Sequence, residues 1–383
     1  MKIAMVTSAL QSGAGRVITD LCIDLKNRGF ESFVISSGNV DGSIDWENYI
    51  VQLQNAKIHY DTTDLFHRNT ECFWNSVNFL TELFAKTKPD IIHAHGGVSA
   101  LAAYLSSKMY NPVPVITSFY SWNINRPTWM NFADILAFRC CHRIIVATDY
   151  YFQFLLKEGL DHQNVSKIHL GLKTDLFSQY KRNQFKKELF SQYCFNSDDW
   201  IISMLAVIEP RKNQIAAIEA LYHLIHKYGK ESVKMIFIGN IKDQCYFDTL
   251  QNRIDQLNLG NSIVFTGYCN DPNPIIAESD AFVFPTLSEG LGIAILEAMI
   301  LKTPVVSSCI EGTAEILRNN ENCLTVDPNN PEDIAAKLFH VITNRELSKK
   351  LIQKAYDTVI HEFDWEQTLT QHIQLYENMK ILE

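Results

Sequence analysis

Short runs of β-branched and apolar residues alternate along the chain with longer amphipathic stretches. In the first half these runs predict strands at residues 2–7, 32–36, 91–95, 113–118 and 143–148. In the second half they predict strands at residues 201–207, 234–238, 262–266, 281–284 and 303–307. Alternation of strands with helices is typical of parallel α/β sheets. A chain of 383 residues is long for one core, so we expect two such domains.

A polar segment of mixed charge at residues 176–199 separates the two series and shows no strong periodicity. We therefore predict an N-terminal domain over residues 1–182 and a C-terminal domain over residues 183–364. In the first domain a helix is predicted over residues 16–28, where Gly29 ends it.

The composition is that of a globular protein, with 46% hydrophobic and 20% charged residues. Residues 1–182 carry a net charge of +1 and the remaining residues −10, so neither half is basic enough to predict nucleic-acid binding. No apolar run approaches the roughly 18 residues of a membrane span. The nine cysteines are scattered, which favours reduced thiols. We therefore expect a cytoplasmic protein, with at most a peripheral contact to the inner face of the membrane.

The segment at residues 284–299 carries the most chemical information. Gly290 and Gly292 let the backbone approach a ligand between an apolar strand and a predicted helix. The N-terminus of that helix presents free amides and the positive end of its dipole, which suit a phosphate. Glu289 and Glu297 stand eight positions apart, and an ionised carboxylate accepts hydrogen bonds from sugar hydroxyls. Together these features favour a nucleotide-sugar site, whereas two carboxylates alone would suit an ordinary solvated turn.

The same segment resembles the E-x7-E signature of the retaining family 4 glycosyltransferases. That family has the GT-B fold, in which two Rossmann-like parallel-sheet domains face each other across a cleft. The resemblance implies that the first glutamate lies beside the donor sugar, that the following amides hold sugar and diphosphate, and that the second glutamate binds the ribose. The donor-binding residues implied in this way are Glu289, Gly290, Leu291, Gly292 and Glu297.

Further short motifs follow the order of the same family along nearly the whole chain. They lie at residues 27–30, 168–172, 265–268, 277–280 and 303–306. Tyr268, at the end of one of them, is an additional donor-binding candidate. The resemblance also implies that the last helix, at residues 365–383, crosses back to the N-terminal domain.

Arg211-Lys212-Asn213 follows the first strand of the second half. GT-B enzymes usually work without a bound metal, so cationic side chains must stabilise the departing diphosphate. Lys212 occupies the place of the family's diphosphate-binding lysine. The family also has a Gly-Arg pair at the end of that strand, where this chain reads Ala206-Val207. Arg211 is the candidate to replace the missing arginine, because a guanidinium can bind phosphate in a bidentate manner. Without the glutamate signature, a solvated basic turn would be the simpler interpretation.

His93 and His95 stand at strand spacing, so both point to one face at the C-terminal end of a predicted strand. The family's motif has the same shape, and its histidine approaches the donor sugar. His95 is therefore the candidate for that contact and His93 its acceptor-side support, although a lone histidine at a strand end is more often structural. Neither is expected to be a nucleophile. The resemblance implies reaction on one face, with the leaving phosphate accepting the acceptor's proton.

Small residues are concentrated at residues 8–15, before the first predicted helix. A dinucleotide-binding loop is excluded, because Ile18 stands where the fingerprint needs glycine and no acid follows the second strand. The resemblance implies a loop that contacts donor and acceptor, with Gly13 as the candidate contact. A plain surface turn is the alternative.

An aromatic-rich segment spans residues 119–132. Its rings suit core packing, and they equally suit an acceptor-binding wall, because aromatic faces pack on sugar rings. Tyr120 and Trp122 are the acceptor-side candidates, and both interpretations stay open.

These observations predict a retaining hexosyl or N-acetylhexosaminyl transferase, with a UDP-sugar as the favoured donor. The acceptor would be a glycan, a lipid-linked molecule or a protein, and the resemblance implies an α-glycosidic bond made in cell-envelope or polysaccharide synthesis, with no metal or other cofactor. The catalytic candidates are His95, Arg211, Lys212 and Glu289. Because the strand-end arginine is missing, a non-catalytic GT-B partner that binds nucleotide sugar or a second transferase is the alternative. A nucleotide-sugar epimerase or phosphorylase on the same fold is a third hypothesis.

Overall fold

The computed structural model describes residues 1–39, 44–67, 69–122 and 126–381. The chain divides into two compact units. The first is Met1–Leu170 with Glu366–Glu383, and the second is Gly171–Trp365. The last helix therefore belongs to the first unit for almost its whole length, and residues 382–383 of the predicted helix lie outside the described residues.

The division between the units falls before residue 171, earlier than the predicted boundary after residue 182. The intervening segment is fastened to the second unit by its polar groups. Arg182 Nη1 donates a hydrogen bond to the carbonyl of Ser279 at 2.9 Å. The amide of Asn183 donates to Glu278 Oε2, also at 2.9 Å. The polar residues of this segment therefore form hydrogen bonds to the second unit and do not make a loose linker.

The first unit is built on one parallel sheet, with strand order β3-β2-β1-β4-β5-β6-β7 within the described residues. Its strands are β1 (Lys2–Thr7), β2 (Glu31–Ser36), β3 (His59–Thr62), β4 (Ile91–His95), β5 (Val115–Phe119), β6 (Arg143–Val146) and β7 (Val165–Lys167). Its helices before residue 171 are α1 (Ser12–Asn27), α2 (Ile44–Asn55), α3 (Thr70–Thr87), α4 (Gly97–Tyr110), α5 (Thr128–Cys140) and α6 (Asp149–Lys157). Apolar residues of α3, α4 and α5 pack on one another and on the sheet, and this cluster forms much of the core.

The second unit repeats this plan with a parallel sheet of order β10-β9-β8-β11-β12-β13. Its strands are β8 (Trp200–Leu205), β9 (Val233–Ile238), β10 (Ile263–Phe265), β11 (Ala281–Phe284), β12 (Val305–Ser308) and β13 (Leu324–Val326). Its helices are α7 (Lys186–Gln192), α8 (Gln214–His226), α9 (Gln244–Gln256), α10 (Asn273–Glu278), α11 (Ile293–Ile300), α12 (Pro331–Thr343) and α13 (Arg345–Glu362). The chain then enters α14 (Trp365–Ile381).

The strand order reverses between β1 and β4 in the first sheet and between β8 and β11 in the second. Crevices outside the carboxyl ends of such strands are where open α/β sheets bind ligands. The loops that leave β8 and β11 contain Lys212 and Glu289, and His95 is the last residue of β4. The fold thus brings the strongest sequence candidates to the two switch points.

Helix α1 begins at Ser12, so the prediction of a loop up to residue 15 was wrong. Gly13 lies exposed in the first helical turn, and the amide of Gly15 already donates to the carbonyl of Gln11 at 2.8 Å. Small residues are needed here for packing. A Cβ added at Gly15 would lie 2.7 Å from the ring of Tyr49, which comes from α2.

Candidate functional site

Two loops at the switch point of the second sheet are joined through the backbone of Arg211. Its carbonyl accepts a hydrogen bond from the amide of Leu287 at 2.9 Å and from Thr286 Oγ1 at 3.1 Å. Asn213 adds a contact, because its side-chain amide donates to the carbonyl of Pro285 at 3.0 Å. These bonds fix the loop after β8 against the loop after β11. They hold the basic and acidic candidates side by side.

Lys212 and Glu289 form an ion pair in which Nζ contacts Oε2. The lysine is buried, and its Nζ lies 5.1 Å from the ring centre of Phe284. Burial lowers the pKa of Lys212, and attraction to Glu289 only partly offsets this. Burial also raises the pKa of Glu289, but the charges of Lys212 and Arg211 outweigh it and hold that pKa below its ordinary value. The pair therefore keeps a carboxylate ionised inside the site.

The guanidinium of Arg211 is engaged on each of its nitrogens. Nε and Nη2 donate to Glu209 Oε1 at 3.1 and 2.8 Å, and Nη1 donates to the carbonyl of Ser288 at 2.9 Å. Nη1 also lies 3.7 Å from Glu289 Oε1. The fork proposed for bidentate phosphate binding thus faces protein groups. A diphosphate would have to displace or share them.

Glu209 is the acidic centre of a small network that the sequence did not reveal. Its other oxygen, Oε2, lies 3.1 Å from Nζ of Lys242 in the loop after β9. Burial raises the pKa of Glu209, but Arg211 and Lys242 outweigh that and lower it. Lys242, whose side chain is exposed, is a third cation at this edge of the sheet. The signal that could have revealed Glu209 is its position two residues before Arg211 at a strand exit.

Glu311 holds the loop that carries the first glutamate of the signature. Its Oε2 accepts from Ser288 Oγ at 2.6 Å and from the amide of Glu289 at 2.9 Å. The amide of Gly290 donates to Glu289 Oε1 at 3.0 Å. The carboxylate of Glu289 is therefore held by the amide of the next residue. The backbone that carries it is held by Glu311, which comes from the loop after β12.

Helix α11 begins at the predicted place, immediately after Gly292. Gly292 has a φ of +93°, a conformation that favours glycine, and it serves as the N-cap without a side-chain bond. Leu291 is buried beside it. Glu297 lies one turn into the helix and is also buried. The N-terminus of α11 thus lies directly after the loop that leaves β11, at the switch point, and a helix N-terminus favours an anion.

Tyr268 is the remaining donor candidate of the second unit. It follows β10, which is the edge strand and is separated from β8 by β9. Its side chain is half-buried.

The histidine candidates of the first unit do share one face of β4. The rings of His93 and His95 stack with centroids 4.4 Å apart. His93 bonds through Nδ1 to Tyr376 Oη at 2.7 Å, and His95 bonds through Nδ1 to Tyr120 Oη at 2.8 Å. Nε2 of His95 is buried and meets no hydrogen-bond partner among the residues that the structure describes. The other three ring nitrogens of His93 and His95 all have hydrogen-bond partners.

A third histidine, His372 of α14, completes this cluster. Its ring centroid lies 5.9 Å from that of His93. Burial lowers the pKa of His372 to about 4. Burial, together with repulsion from His372, lowers the pKa of His95 to about 3. Burial and its two histidine neighbours lower the pKa of His93 as well. All three rings are therefore neutral at pH 7. They can exchange hydrogen bonds with hydroxyls but offer no positive charge.

The aromatic segment after β5 divides between the two interpretations offered for it. Trp122 packs on Phe119 and Phe154, with ring centroids 5.3 and 5.2 Å away, and its Nε1 donates to Asp134 Oδ2 at 3.2 Å. Trp122 is therefore partly buried and packs against the core cluster of the first unit. Tyr120 points to His95 and remains at the candidate site.

Neither a metal cluster nor a membrane-spanning helix is found in the described part of the chain. No group of three or more His, Cys, Asp or Glu side chains there could hold a metal ion. In the same residues, no helix combines the length and apolar character that a membrane crossing needs.

Comparison with known proteins agrees with this architecture. A family model described as Glycosyltransferase Family 4 matches residues 11–176, and one described as Glycosyl transferases group 1 matches residues 185–358. The UDP-Gal:alpha-D-GlcNAc-diphosphoundecaprenol alpha-1,3-galactosyltransferase of Escherichia coli is 22% identical over 280 residues, which cover 70% of each protein.

Two solved structures share the fold over nearly their whole lengths. A glycosyltransferase from Rickettsia africae has a TM-score of 0.84 at 22% identity and covers 99% of this chain and 98% of that one. Anabaena HepE, in complex with UDP and glucose, has a TM-score of 0.84 at 18% identity and covers 99% of this chain and 100% of that one. The chain belongs to the family 4, group 1 glycosyltransferases and has their GT-B fold.

Proposed function

We propose that this protein is a metal-independent, retaining glycosyltransferase that transfers a hexosyl or N-acetylhexosaminyl group from a UDP-sugar. The observation that carries the proposal is the pairing of Lys212 and Glu289 at the switch point of the second sheet, beside the N-terminus of α11. Preorganised cations and amides stabilise charge that develops on a leaving diphosphate, so a metal is not required. The UDP complex of the Anabaena structure supports the choice of donor.

The acceptor that we favour is a lipid-linked molecule, which receives the sugar through an α-glycosidic bond on the cytoplasmic side. The Escherichia coli relative supports this choice, because its name specifies a lipid diphosphate acceptor and an α-linkage. His95 would meet the donor sugar through Nε2, and Tyr120 and His93 would hold its ring in place. The leaving phosphate would take the acceptor's proton.

Release of UDP tests this proposal directly. UDP-glucose, UDP-galactose and UDP-N-acetylglucosamine would each be supplied with and without a polyprenyl-diphosphate sugar as acceptor. We expect acceptor-dependent release of UDP with one donor, and an α-anomeric product by NMR. Excess chelator should leave the rate unchanged. A rate that is lost in chelator and restored by manganese would overturn metal independence.

A non-catalytic GT-B partner is the second candidate, and one observation favours it. Val207 stands where the family has arginine, and Arg211 is already engaged by Glu209 and Ser288. Leaving-group stabilisation would then rest on Lys212 and the helix amides. A protein that UDP stabilises against heat, yet that releases no UDP with any donor and acceptor pair, would favour this candidate.

A further inference from the structure

Glu311 has a backbone conformation that is rare for its residue type. It lies three residues after the end of β12 and has a φ of +44°. In this left-handed region the Cβ crowds the neighbouring carbonyl oxygen, so few residues other than glycine, asparagine and aspartate adopt it. The lysines with positive φ lie within two residues of the end of a helix, where this conformation is common; they are Lys57, Lys88 and Lys302. Glu311 ends no helix, so its conformation is strained.

Hydrogen bonds around Glu311 hold the strained turn in place. Oγ1 of Thr313 accepts from the amide of Ile310 at 2.8 Å and donates to the carbonyl of the same residue at 2.7 Å. The amide of Gly312 donates to the carbonyl of Glu289 at 3.3 Å. A strained residue persists only where its surroundings fix it in this way, and such residues cluster at functional sites. The strain therefore points to a function of the Glu311 side chain.

The turn directs the carboxylate of Glu311 to the loop after β11. Its Oε2 accepts from Ser288 Oγ at 2.6 Å and from the amide of Glu289 at 2.9 Å. The amide of the next residue, Gly290, donates to the carboxylate of Glu289 itself at 3.0 Å. Two carboxylates therefore occupy the amides of two successive residues in this loop.

The next two amides of the loop, those of Leu291 and Gly292, are different. Neither has a hydrogen-bond partner among the residues that the structure describes. Both residues are buried, and they immediately precede helix α11. Backbone amides in buried surroundings are almost always paired, so two adjacent unpaired amides indicate the place of a ligand. An anion is the ligand that amides at a helix N-terminus favour.

We propose that Glu311 is a positioning residue for the donor diphosphate. Its carboxylate covers the amide of Glu289 and fixes the loop, so that the amides of Leu291 and Gly292 receive the phosphate oxygens. A free amide at Glu289 would offer the anion a competing position next to Lys212, with which Glu289 is paired. The inference rests on the proposed function, in which the leaving diphosphate must lie at one place against Lys212.

Three variants at Glu311 test this role. Glu311→Gln keeps an oxygen that can accept both hydrogen bonds, so its turnover should stay close to that of wild type. Glu311→Ala and Glu311→Gly remove that oxygen. We expect each to lower turnover roughly tenfold or more relative to Glu311→Gln, which also lacks the negative charge, because a misplacement of about 1 Å can cost about 10²-fold. Glu321→Ala, at an exposed position beyond the turn, is the control and should leave turnover unchanged.

Thermal unfolding separates this role from a purely structural one. Only glycine relieves the strain, so Glu311→Gly should unfold at a temperature about 2 °C or more above that of Glu311→Ala. Similar turnover in these two variants, despite their different stability, would support positioning. If Glu311 served only the fold, the more stable glycine variant would also be the more active one, and that result would overturn the inference.

The remaining outcomes distinguish this inference from the proposed function. Full activity of Glu311→Ala and Glu311→Gly would overturn the inference and leave the proposed function intact, and so would a Glu311→Gln variant as slow as Glu311→Ala. If the wild-type protein releases no UDP with any donor and acceptor pair, the proposed function fails, and calorimetric titration with UDP tests the inference by itself. Binding by Glu311→Ala and Glu311→Gly that is roughly tenfold weaker than by Glu311→Gln would then support it. Equal binding by all three variants would overturn it.

Discussion

The cluster around Lys212 and the cluster around His93 are both buried, yet they treat charge in opposite ways. In the second unit, Glu209 and Glu289 keep lowered pKa values because cations outweigh the effect of burial. In the first unit, burial dominates, and the pKa values of His93, His95 and His372 fall until the rings are neutral. Burial by itself thus does not decide the charge of a site. The presence of a counter-ion does.

Under the proposed function, this difference would separate two tasks of the reaction. A cluster of paired cations can exchange one anion for another, which suits a diphosphate that arrives and departs. The neutral histidine rings can form hydrogen bonds with hydroxyl groups. Because they carry no positive charge, they would not draw a diphosphate away from the cationic cluster. The following experiments would break or sharpen this contrast, beginning with the largest expected effect.

Removal of the charge at Lys212 tests the ionic cluster most severely. Lys212→Met should lower turnover by about 10³-fold, the upper range for loss of a preorganised group that stabilises developing charge. Steady-state kinetics with saturating donor would measure it. Lys227→Met is the matched control, because Lys227 also pairs with a glutamate, Glu332, but on the exposed surface. If the turnover of Lys212→Met stayed within tenfold of wild type, the role given to the ionic cluster, and with it the contrast to the histidine cluster, would be wrong.

Arg211 tests whether an arginine held by Glu209 still serves the diphosphate. Arg211→Ala should lower turnover by about 10²-fold if a transition-state contact is lost. Arg211→Lys keeps the charge but not the fork, so turnover should fall more than donor affinity. The control is Arg253→Ala, which breaks a peripheral pair with Glu219. A fully active Arg211→Ala enzyme would mean that Lys212 and the amides of α11 suffice.

Glu297 tests the ribose contact that the family resemblance implies. Glu297→Ala should weaken UDP binding by about 1.5–3 kcal/mol, the value of hydrogen bonds to a charged acceptor. Titration calorimetry would measure the affinity, with Glu346→Ala on the exposed side of α13 as the control. If the folded variant binds UDP as tightly as wild type, the assignment fails.

The histidine cluster should make stability depend on pH. The unfolded chain binds protons at these histidines near pH 6.5, whereas the folded chain does not until pH 4 or below at His372 and His95. Stability from each ring is therefore complete above pH 7 and is lost as pH falls below 6.5, by about 1.4 kcal/mol per pH unit.

Urea unfolding between pH 7.5 and pH 5.5 would measure this loss. His372→Gln should make the slope shallower, because one ring no longer contributes. His340→Gln, at an exposed position of α12, is the control and should leave the slope as it is. A wild-type stability that stays constant down to pH 5.5 would refute the neutral-ring description.

How accurately a strand could be predicted from the sequence depended on how buried and how long the strand is. Strands β1, β4 and β11 begin and end at the predicted residues, because each is a buried, β-rich run with a sharp polar or turn boundary. Strands β3, β7 and β13 were missed. They are edge strands of three or four residues, which form hydrogen bonds to a neighbouring strand on one side only. A pattern of apolar residues of that length is too short to recognise in the sequence.

In the candidate site, residues of short local motifs could be predicted from the sequence, whereas their distant partners could not. Lys212 and Glu289 could be named because their motifs are local, but their network includes Glu209 and Lys242, which contribute charge from separate positions. Tyr376 stands 283 positions from His93 and could not have been paired with it from one sequence. The only local signal was the four-residue spacing of His372 and Tyr376, which places them on one face of a helix.

The return of α14 to the first unit has a consequence for synthesis on the ribosome. The helix supplies Tyr376, which is fully buried against His93, and Lys380, whose Nζ lies 3.2 Å from Asp90. Tyr376 and Lys380 are synthesised only after the whole of the second unit has been made. The first unit therefore waits, with His93 and its apolar surroundings uncovered, while residues 171–365 are translated and can fold as an independent body. The half of the protein that is made first is the half that is completed last.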